Sequence, residues 1–285
     1  MENFVYYKAL QKMGVNYLGA VASSAKTNLS LKKGTMTYCV YLAPSTMAGT
    51  INGKQIDVCP NAKWCKDFCL NGSGRNRGDI LLHAEKKQES HINRARIKKT
   101  RFFYEDRETY MQVLVHEIKR AKRRADRMGY EFSVRLNGTS DISPEEMIVK
   151  GEVRDYNILE IFPEITMYDY TKVYSRMALE KKYSNYSLTY SFNGHNKTAC
   201  KRVLENGGNV AVVFYNETTL PKTYMGYEVI DGNESDMRYK DRKGCVVGLH
   251  YHRTANDYKK VNGKNVFVKP ETKFVVFDDD PEVVF

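Results

Sequence analysis

Strand-like and helix-like segments alternate along most of this 285-residue chain, and this alternation restricts the fold more than any other feature. Short runs rich in β-branched and aromatic residues precede helical patterns of about 10–15 residues, which is typical of parallel βαβ units. The predicted strands cover residues 35–42, 130–136, 165–169, 187–191 and 209–214. We predict an α/β fold: a full or partial (β/α) barrel with a cysteine-bearing loop after the first strand and extra C-terminal strands. An open doubly wound sheet is the alternative.

The helical pattern between the first two predicted strands indicates two helices. One covers residues 79–98 and begins at Asp79 as N-cap, and the other covers residues 107–128 and ends before Gly129. Residues 1–34 are weakly patterned, which predicts irregular structure with short strands. The whole pattern predicts a barrel-like domain over residues 1–250, which includes the cysteine-bearing loop at 43–78. Residues 251–285 are predicted to form a β extension packed on the same domain.

The composition is 42% hydrophobic and 28% charged, which is typical of a globular rather than a disordered protein. No apolar run approaches the roughly 20 residues needed to span a membrane. The opening sequence MENFVYYKALQKMG lacks the basic and apolar regions of a signal peptide. We therefore expect a cytoplasmic protein without a membrane partner.

Three of the six cysteines, Cys59, Cys65 and Cys69, lie within eleven residues and have the spacing C-x5-C-x3-C. In an intracellular protein such a group favours metal binding over disulfides, and thiolates are the ligands that iron–sulfur clusters and zinc prefer. Cys65 and Cys69 are four apart, so one helical turn would bring both to one face. We predict an iron–sulfur cluster, most simply a four-iron cluster with one open position. Zinc is the alternative, with Cys39 or His83 as fourth ligand.

Polar residues follow three consecutive predicted strands, at the ends where chemistry gathers in parallel α/β folds. They are Arg135, Asn137, Ser140 and Asp141 after one strand, Tyr170, Thr171 and Lys172 after the next, and His195 after the third. This arrangement predicts a pocket lining, in which Lys172 and His195 are candidate acid–base groups. The alternative is ordinary turn and helix-cap chemistry.

The formal net charge of +11 indicates an anionic partner, with nucleic acid as the first candidate. Basic residues concentrate at 94–101 (RARIKKTR) and at 119–127 (KRAKRRADR), both on predicted helices. The alternative is a solvated outer helix face. The sequence contains no P-loop, no G-x-G-x-x-G after a strand, no H-E-x-x-H and no G-x-S-x-G.

Three motifs together resemble the phage gene product 88 family. They are the cysteine segment that begins at Cys59-Pro60-Asn61-Ala62, the strand end at residues 135–141, and Tyr170-Thr171-Lys172. That family is in turn similar to radical S-adenosylmethionine enzymes, which are partial (β/α) barrels with three cysteines in the loop after the first strand. Their usual spacing is C-x3-C-x2-C, which this chain does not have. The resemblance implies a phage protein in the host cytoplasm.

Two functional hypotheses follow from these features. The first is an iron–sulfur enzyme of the radical S-adenosylmethionine type with a nucleotide or nucleic-acid substrate. In this hypothesis the cofactor binds to Arg135, Asn137, Ser140, Asp141, Tyr170 and Thr171. The second is a non-enzymatic nucleic-acid-binding protein of phage replication whose metal site is structural. A deep cavity beside the cysteines would favour the first, and a flat basic surface over a filled barrel would favour the second.

Overall fold

The computed structural model of the protein describes residues 2–84, 86–216 and 218–285. The helices in these ranges are α1 (Glu2–Lys12), α2 (Ala25–Lys32), α3 (Gly74–Ala84), α4 (His91–Glu105), α5 (Arg107–Arg127), α6 (Ile158–Ile161), α7 (Leu179–Lys182) and α8 (Lys197–Glu205). Short 3-10 turns lie at Trp64–Lys66, Leu70–Gly72, Pro144–Glu146, Tyr174–Ala178, Arg238–Lys240 and Ala255–Asp257. The strands are β1 (Gly19–Val21), β2 (Thr35–Val40), β3 (Thr50–Ile51), β4 (Lys54–Gln55), β5 (Glu131–Arg135), β6 (Ile148–Val149), β7 (Tyr156–Asn157), β8 (Thr166–Thr171), β9 (Tyr186–Ser191), β10 (Asn209–Phe214), β11 (Thr223–Tyr224), β12 (Tyr227–Asp231), β13 (Val246–His250), β14 (Tyr258–Val261), β15 (Lys264–Phe267) and β16 (Val275–Val276).

A ten-stranded, mostly parallel sheet organises the molecule. Its central strands run parallel in the order β2-β5-β8-β9-β10-β13-β12. At the two edges, β1 pairs antiparallel with β2, and β11 pairs antiparallel with β12. β16 pairs with Val213 and Phe214 of β10, beyond the residues of β10 that pair with β9. The predicted α/β fold with parallel βαβ units is therefore confirmed.

The sheet is open, so of the predicted full or partial (β/α) barrel the full, closed form is wrong. Closure requires the two edge strands to bond to each other. Here the free edge of β2 is covered by antiparallel β1, and the opposite edge ends in the β11–β12 hairpin. After β10 the chain also moves outward to β12 before β13 returns between them. Both edges are thus capped locally instead of meeting.

The two faces of the sheet differ in polarity because side chains alternate along each strand. On one face, Tyr38 and Val40 of β2 and Val134 of β5 belong to the larger hydrophobic cluster, together with buried residues of α4 and α5. The other face is polar, and the hydroxyls of Thr37 and Ser133 lie 3.0 Å apart on it. α2 and the turn Arg238–Lys240 pack against this second face.

The first 34 residues contain helices where the sequence pattern predicted irregular structure. α2 begins after Ser24, whose hydroxyl accepts a hydrogen bond from the backbone N–H of Thr27 at 3.2 Å. The Thr27 hydroxyl accepts a bond from the Ser24 backbone N–H at 2.9 Å and completes a capping box. α1 packs against α5, which is a contact between distant parts of the chain.

The single helix predicted over residues 79–98 is in fact two helices, α3 and α4. Ser90 caps α4 by accepting a bond from the Asn93 backbone N–H at 3.0 Å, and Asp79 lies inside α3 rather than at its start. The prediction for residues 107–128 is confirmed by α5. Gly129 follows α5 with a φ of 70°, a left-handed conformation that glycine adopts without strain.

The last part of the chain contributes to the main sheet through β16. Val276 of β16 belongs to a second hydrophobic cluster, which includes side chains of β9, β10 and α8. β14 and β15 form a separate hairpin. The predicted boundary at residue 250 stays a prediction. Among the described residues, no helix has the length and apolar character needed to cross a membrane.

Candidate metal centre

The cysteine-bearing segment lies between β2 and α3, at the edge of the sheet where the parallel strands have their carboxyl ends. It is structured, because it contains the β3–β4 hairpin and two 3-10 turns. The Asp141 backbone N–H donates to the Val58 carbonyl at 2.7 Å, and Cys59 Sγ lies 3.8 Å from the Thr139 carbonyl oxygen. These bonds hold Cys59 beside the loop that follows β5.

Cys65 and Cys69 lie on two consecutive turns rather than on one face of a single helical turn. Cys65 is buried in the turn Trp64–Lys66. Cys69 precedes the turn Leu70–Gly72, and its Sγ accepts a hydrogen bond from the Asn71 backbone N–H at 3.5 Å. Arg96 of α4 donates to the Asn71 side chain, so α4 supports the turn that holds Cys69.

The half-buried Lys172, at the end of β8, connects the three cysteines electrostatically. Burial by itself lowers the pKa of Lys172, but the surrounding Cys65, Asp141, Cys59 and Cys69 raise it to a net value above normal. Each of these groups, when ionised, carries a negative charge that favours the ammonium. Lys172 and the three thiols therefore form one group, which we call the cysteine–lysine centre.

Two thiols of this centre, those of Cys59 and Cys69, are not activated as nucleophiles. Burial raises the pKa of Cys59 to about 12, and a bond to a backbone N–H only partly opposes this effect. Burial also raises the pKa of Cys69, and the neighbouring Cys65 adds to the increase. Catalytic cysteines require a lowered pKa, because the thiolate is the reactive form. The environment is therefore unlike that of a cysteine hydrolase and compatible with a metal that displaces the thiol protons.

The spacing of the sulfurs is wider than that of a mononuclear zinc site. The sulfur atoms of Cys59, Cys65 and Cys69 do not all lie within 4.8 Å of one another. A tetrahedral zinc ion with Zn–S bonds of about 2.3 Å holds its sulfurs roughly 3.8 Å apart. A cluster of several irons binds its cysteines at separate iron atoms, so it accommodates a wider set.

Asn137, predicted to bind a cofactor, is fully engaged inside the protein. Its side-chain amide donates to the Ile142 carbonyl at 2.9 Å and to Asp169 Oδ2 at 3.0 Å. Its Oδ1 accepts bonds from the Ser140 hydroxyl at 2.8 Å and from the Ile142 backbone N–H at 2.9 Å. Both donors and both acceptor positions of the amide are occupied. Asn137 and Ser140 therefore shape the loop after β5.

Asp141 links the loop after β5 to the end of β8. One carboxylate oxygen accepts the Lys172 backbone N–H at 2.9 Å, and the other accepts Arg176 Nη1 at 2.6 Å. The ion pair with Arg176 is almost completely shielded from solvent. Asp141 thereby positions the backbone of Lys172 next to the cysteines.

Arg135 and Tyr170 lie together on the polar face of the sheet, away from the helices of the larger core. The Arg135 guanidinium is 4.7 Å from the centre of the Tyr170 ring, and its Nη1 is 3.1 Å from both carboxylate oxygens of Asp236. Thr171 has the opposite orientation, and its hydroxyl accepts the Val173 backbone N–H at 3.1 Å. The six predicted cofactor ligands thus do not converge on one cavity.

His195 lies at the border between the cysteine segment and an open cleft. Trp64, the neighbour of Cys65, donates its indole N–H to His195 Nε2, and the two rings stack with centroids 5.9 Å apart. His195 also lines a cleft of about 410 Å³ together with Lys197, Lys273 and residues near β16. The cleft therefore lies next to the cysteine–lysine centre, because His195 borders both.

Comparison with known proteins gives one family. Residues 18–264 match the family described as Gene product 88. This chain belongs to the Gene product 88 family. No curated protein and no solved structure gives a significant match. The comparisons therefore bear out the first resemblance and give no support to a similarity with radical S-adenosylmethionine enzymes.

The part of this Gene product 88 protein that matches the family includes the whole cysteine–lysine centre. Three residues that support it were not among the predicted site residues: Trp64, Arg96 and Arg176. Trp64 is the single tryptophan of the chain and precedes a predicted ligand, a signal that could have been used. Arg96 was grouped with a surface stretch because its contact with Asn71 depends on tertiary structure.

Proposed function

We propose that this Gene product 88 protein binds an iron–sulfur cluster through Cys59, Cys65 and Cys69 and acts as a radical S-adenosylmethionine-type enzyme. The observation that supports this most is the gathering of three cysteines around Lys172 at the carboxyl ends of the strands. In α/β folds this edge carries the chemistry. A four-iron cluster is the form that we favour, and zinc is the alternative.

The donor set is suited to such a cluster. Three soft thiolates are the ligands that iron prefers in these clusters, and an open coordination position remains because the group contains three cysteines. Three thiolates in a partly buried site need a compensating positive charge. Lys172 supplies it, since its pKa is raised by the same cysteines. Arg96 is near Cys69 and adds further positive charge.

When bound, a cluster of this kind supplies the electron that cleaves S-adenosylmethionine. The protein's own contribution is to bind and orient the other molecules. His195, Lys197 and Lys273 line the adjacent cleft together with Asp279 and Asp280, so the cleft offers charges of both signs to a polar ligand. Arg135, Asn137, Ser140, Asp141, Tyr170 and Thr171 would then act mainly by holding the strand ends in place. Lys172 and His195 stay the candidate acid–base groups.

The first experiment is purification under anaerobic conditions, followed by iron, sulfide and zinc analysis and an absorption spectrum. We expect iron and sulfide, and we expect Cys59→Ser, Cys65→Ser and Cys69→Ser each to lose them. Cys200→Ala and Cys245→Ala are matched controls, because these thiols are buried in or beside other elements and should leave the metal content unchanged. Stoichiometric zinc without iron, in protein made with ample iron, would contradict the proposal.

The second experiment separates an enzyme from a structural cluster. Electron paramagnetic resonance of the reduced protein should change when S-adenosylmethionine is added, because the cofactor would occupy the open iron. His195→Ala should retain the iron and weaken the response. An unchanged signal in the wild-type protein would leave a structural cluster and remove the enzymatic part of the proposal.

A basic surface on α5 supports a second candidate function, nucleic-acid binding. Lys119, Arg120, Arg123, Arg124 and Arg127 are all exposed on this helix. The other predicted basic stretch contributes less, because Lys99 is buried and Arg96 contacts Asn71. We expect weak, sequence-independent binding of single- or double-stranded DNA that declines with salt. Arg123→Glu with Arg124→Glu should abolish it, and unchanged binding by this variant would indicate a solvated helix face.

A further inference from the structure

A second group of metal-binding side chains lies between α3 and α4, separate from the cysteines. Asp79 and His83 are one turn apart on α3, and His91 is the first residue of α4. One potential ligand atom from each residue lies within 4.8 Å of the other two. The sequence pattern predicts a helix cap at Asp79 and a candidate cysteine partner at His83, and it does not predict that the two meet His91.

The geometry is close to that of ligands that share one ion. His91 Nδ1 lies 3.3 Å from Asp79 Oδ1. Two ligands of a tetrahedral zinc ion, with bonds of about 2.0–2.1 Å, are roughly 3.3 Å apart. The two imidazole rings are also adjacent, with centroids 4.5 Å apart and planes at 88°. Small side-chain movements therefore suffice to bring the three residues around a single cation.

Backbone groups already orient two of the three side chains. Asp79 Oδ2 accepts the Ile92 backbone N–H at 3.1 Å, which leaves Oδ1 directed to the histidines. His83 Nδ1 lies 2.8 Å from the Asp79 carbonyl oxygen. The same Nδ1 lies 3.1 Å from Asp79 Oδ1, so the His83 ring presents this nitrogen to the carboxylate as well as to the carbonyl. His83 is buried, so its ring has little freedom to turn away.

We propose that Asp79, His83 and His91 bind a divalent cation of the zinc class, such as Zn²⁺, Co²⁺ or Ni²⁺. Two imidazoles and a carboxylate are the ligands that these ions accept, whereas Mg²⁺ and Ca²⁺ prefer oxygen alone. The His91 side chain is 68% exposed, so the cation is reachable from solvent and keeps open coordination positions on that side. The bound cation connects α3 to the start of α4.

This site also adjoins the support of the cysteine–lysine centre. Asn76 of α3 and Asn71 both donate to Asn93 Oδ1 of α4, at 2.8 Å and 3.0 Å. Asn71 in turn contacts Cys69. A cation that holds α3 against α4 therefore stabilises the helix pair on which the Cys69 turn rests. The proposal does not depend on the identity of the metal at the cysteines.

Cobalt titration of the full-length protein tests the proposal, because Co²⁺ reports its ligands by absorption. Thiolate ligands give an intense near-ultraviolet charge-transfer band, and nitrogen and oxygen ligands do not. We expect one equivalent of Co²⁺ to bind with visible d–d bands and without that charge-transfer band. His91→Ala should weaken this binding at least about tenfold, and Asp79→Asn should weaken it without removing side-chain volume.

His252→Ala is the matched control, because His252 is another exposed histidine outside the group and should leave cobalt binding unchanged. Binding that is equally tight in His91→Ala would overturn the proposal. Cobalt that appears only with the thiolate band would overturn it too. Because the spectrum separates the two ligand types, failure of this site and failure of the iron–sulfur proposal are distinguishable.

Discussion

Asp169, on β8, is a buried carboxylate that accepts hydrogen bonds from Asn137 and Tyr186. Its Oδ1 accepts the Asn137 backbone N–H at 2.7 Å, and its Oδ2 accepts the Asn137 side chain at 3.0 Å and the Tyr186 hydroxyl at 3.1 Å. Burial nevertheless raises the pKa of Asp169 to about 6, from a usual value of 3.8. The loss of hydration therefore raises the pKa of Asp169 by more than the three hydrogen bonds lower it. Asp169 thus joins β8 to the segment that follows β5.

The raised pKa of Asp169 predicts a specific dependence of stability on pH. Between about pH 4 and pH 6 the folded protein binds more protons than the unfolded chain, so the contribution of Asp169 to stability falls as pH rises. We expect this group to remove about 2 kcal/mol from the free energy of unfolding between pH 4.5 and pH 6.5. Asp169→Asn should show a correspondingly flatter profile in urea unfolding at several pH values. Asp126→Asn, on the exposed side of α5, is the control. Equal slopes for wild type and Asp169→Asn would contradict the assignment.

At the scale of elements, α5 holds the edge strand β1 against the sheet. Glu117 accepts the backbone N–H groups of Leu18 and Gly19 at 3.0 Å and 3.1 Å. It also accepts the hydroxyl of buried Tyr38 at 2.5 Å. β1 is only three residues long, so its pairing with β2 supplies few bonds of its own. One carboxylate thus secures the strand that prevents β2 from pairing elsewhere.

Glu117→Ala should release β1 from the sheet. Removal of the acceptor leaves a buried hydroxyl and two backbone donors without their charged partner, and we expect a loss of about 2–3 kcal/mol in the free energy of unfolding. Hydrogen exchange should accelerate selectively at residues 18–21. Glu108→Ala is the matched control, because Glu108 is an exposed residue of the same helix with a surface ion pair to Lys150. Uniform acceleration across the sheet would argue against a local role.

At the scale of the whole molecule, strand β16 joins the C-terminal part of the chain to the main sheet. Val275 and Val276 are buried, and they extend the sheet beside β10. The same segment forms one wall of the cleft that His195 lines. Trp64, the only tryptophan, contacts His195, which lines that cleft. Its fluorescence can therefore report whether the C-terminal segment unfolds together with the cysteine segment.

Val276→Ser should lower the unfolding midpoint measured both by Trp64 fluorescence and by far-ultraviolet circular dichroism. We expect a cost of about 2–4 kcal/mol, because a buried methyl is lost and a hydroxyl is placed in an apolar cluster. Val266→Ser, at an exposed position of β15, should change stability by less than about 0.5 kcal/mol. A fluorescence midpoint that does not move while circular dichroism shows a separate transition would mean that residues 251–285 form an independent unit.

The sequence by itself determined the central strands of the main sheet and helix α5, whereas α1, α2 and the division into α3 and α4 were not predicted. Alternating apolar and helical patterns identified β2, β5, β8, β9, β10 and α5, because these patterns are local and repeat along the chain. Tertiary structure decided how the strand edges are used, since backbone hydrogen bonds are the same for every sequence and do not reveal that β1 covers β2. It also decided which polar side chains are available to a ligand and which are hydrogen-bonded inside the protein. Asn137 looked like a ligand in the sequence, but its partner Asp169 is 32 residues away, and only folding shows that the two satisfy each other.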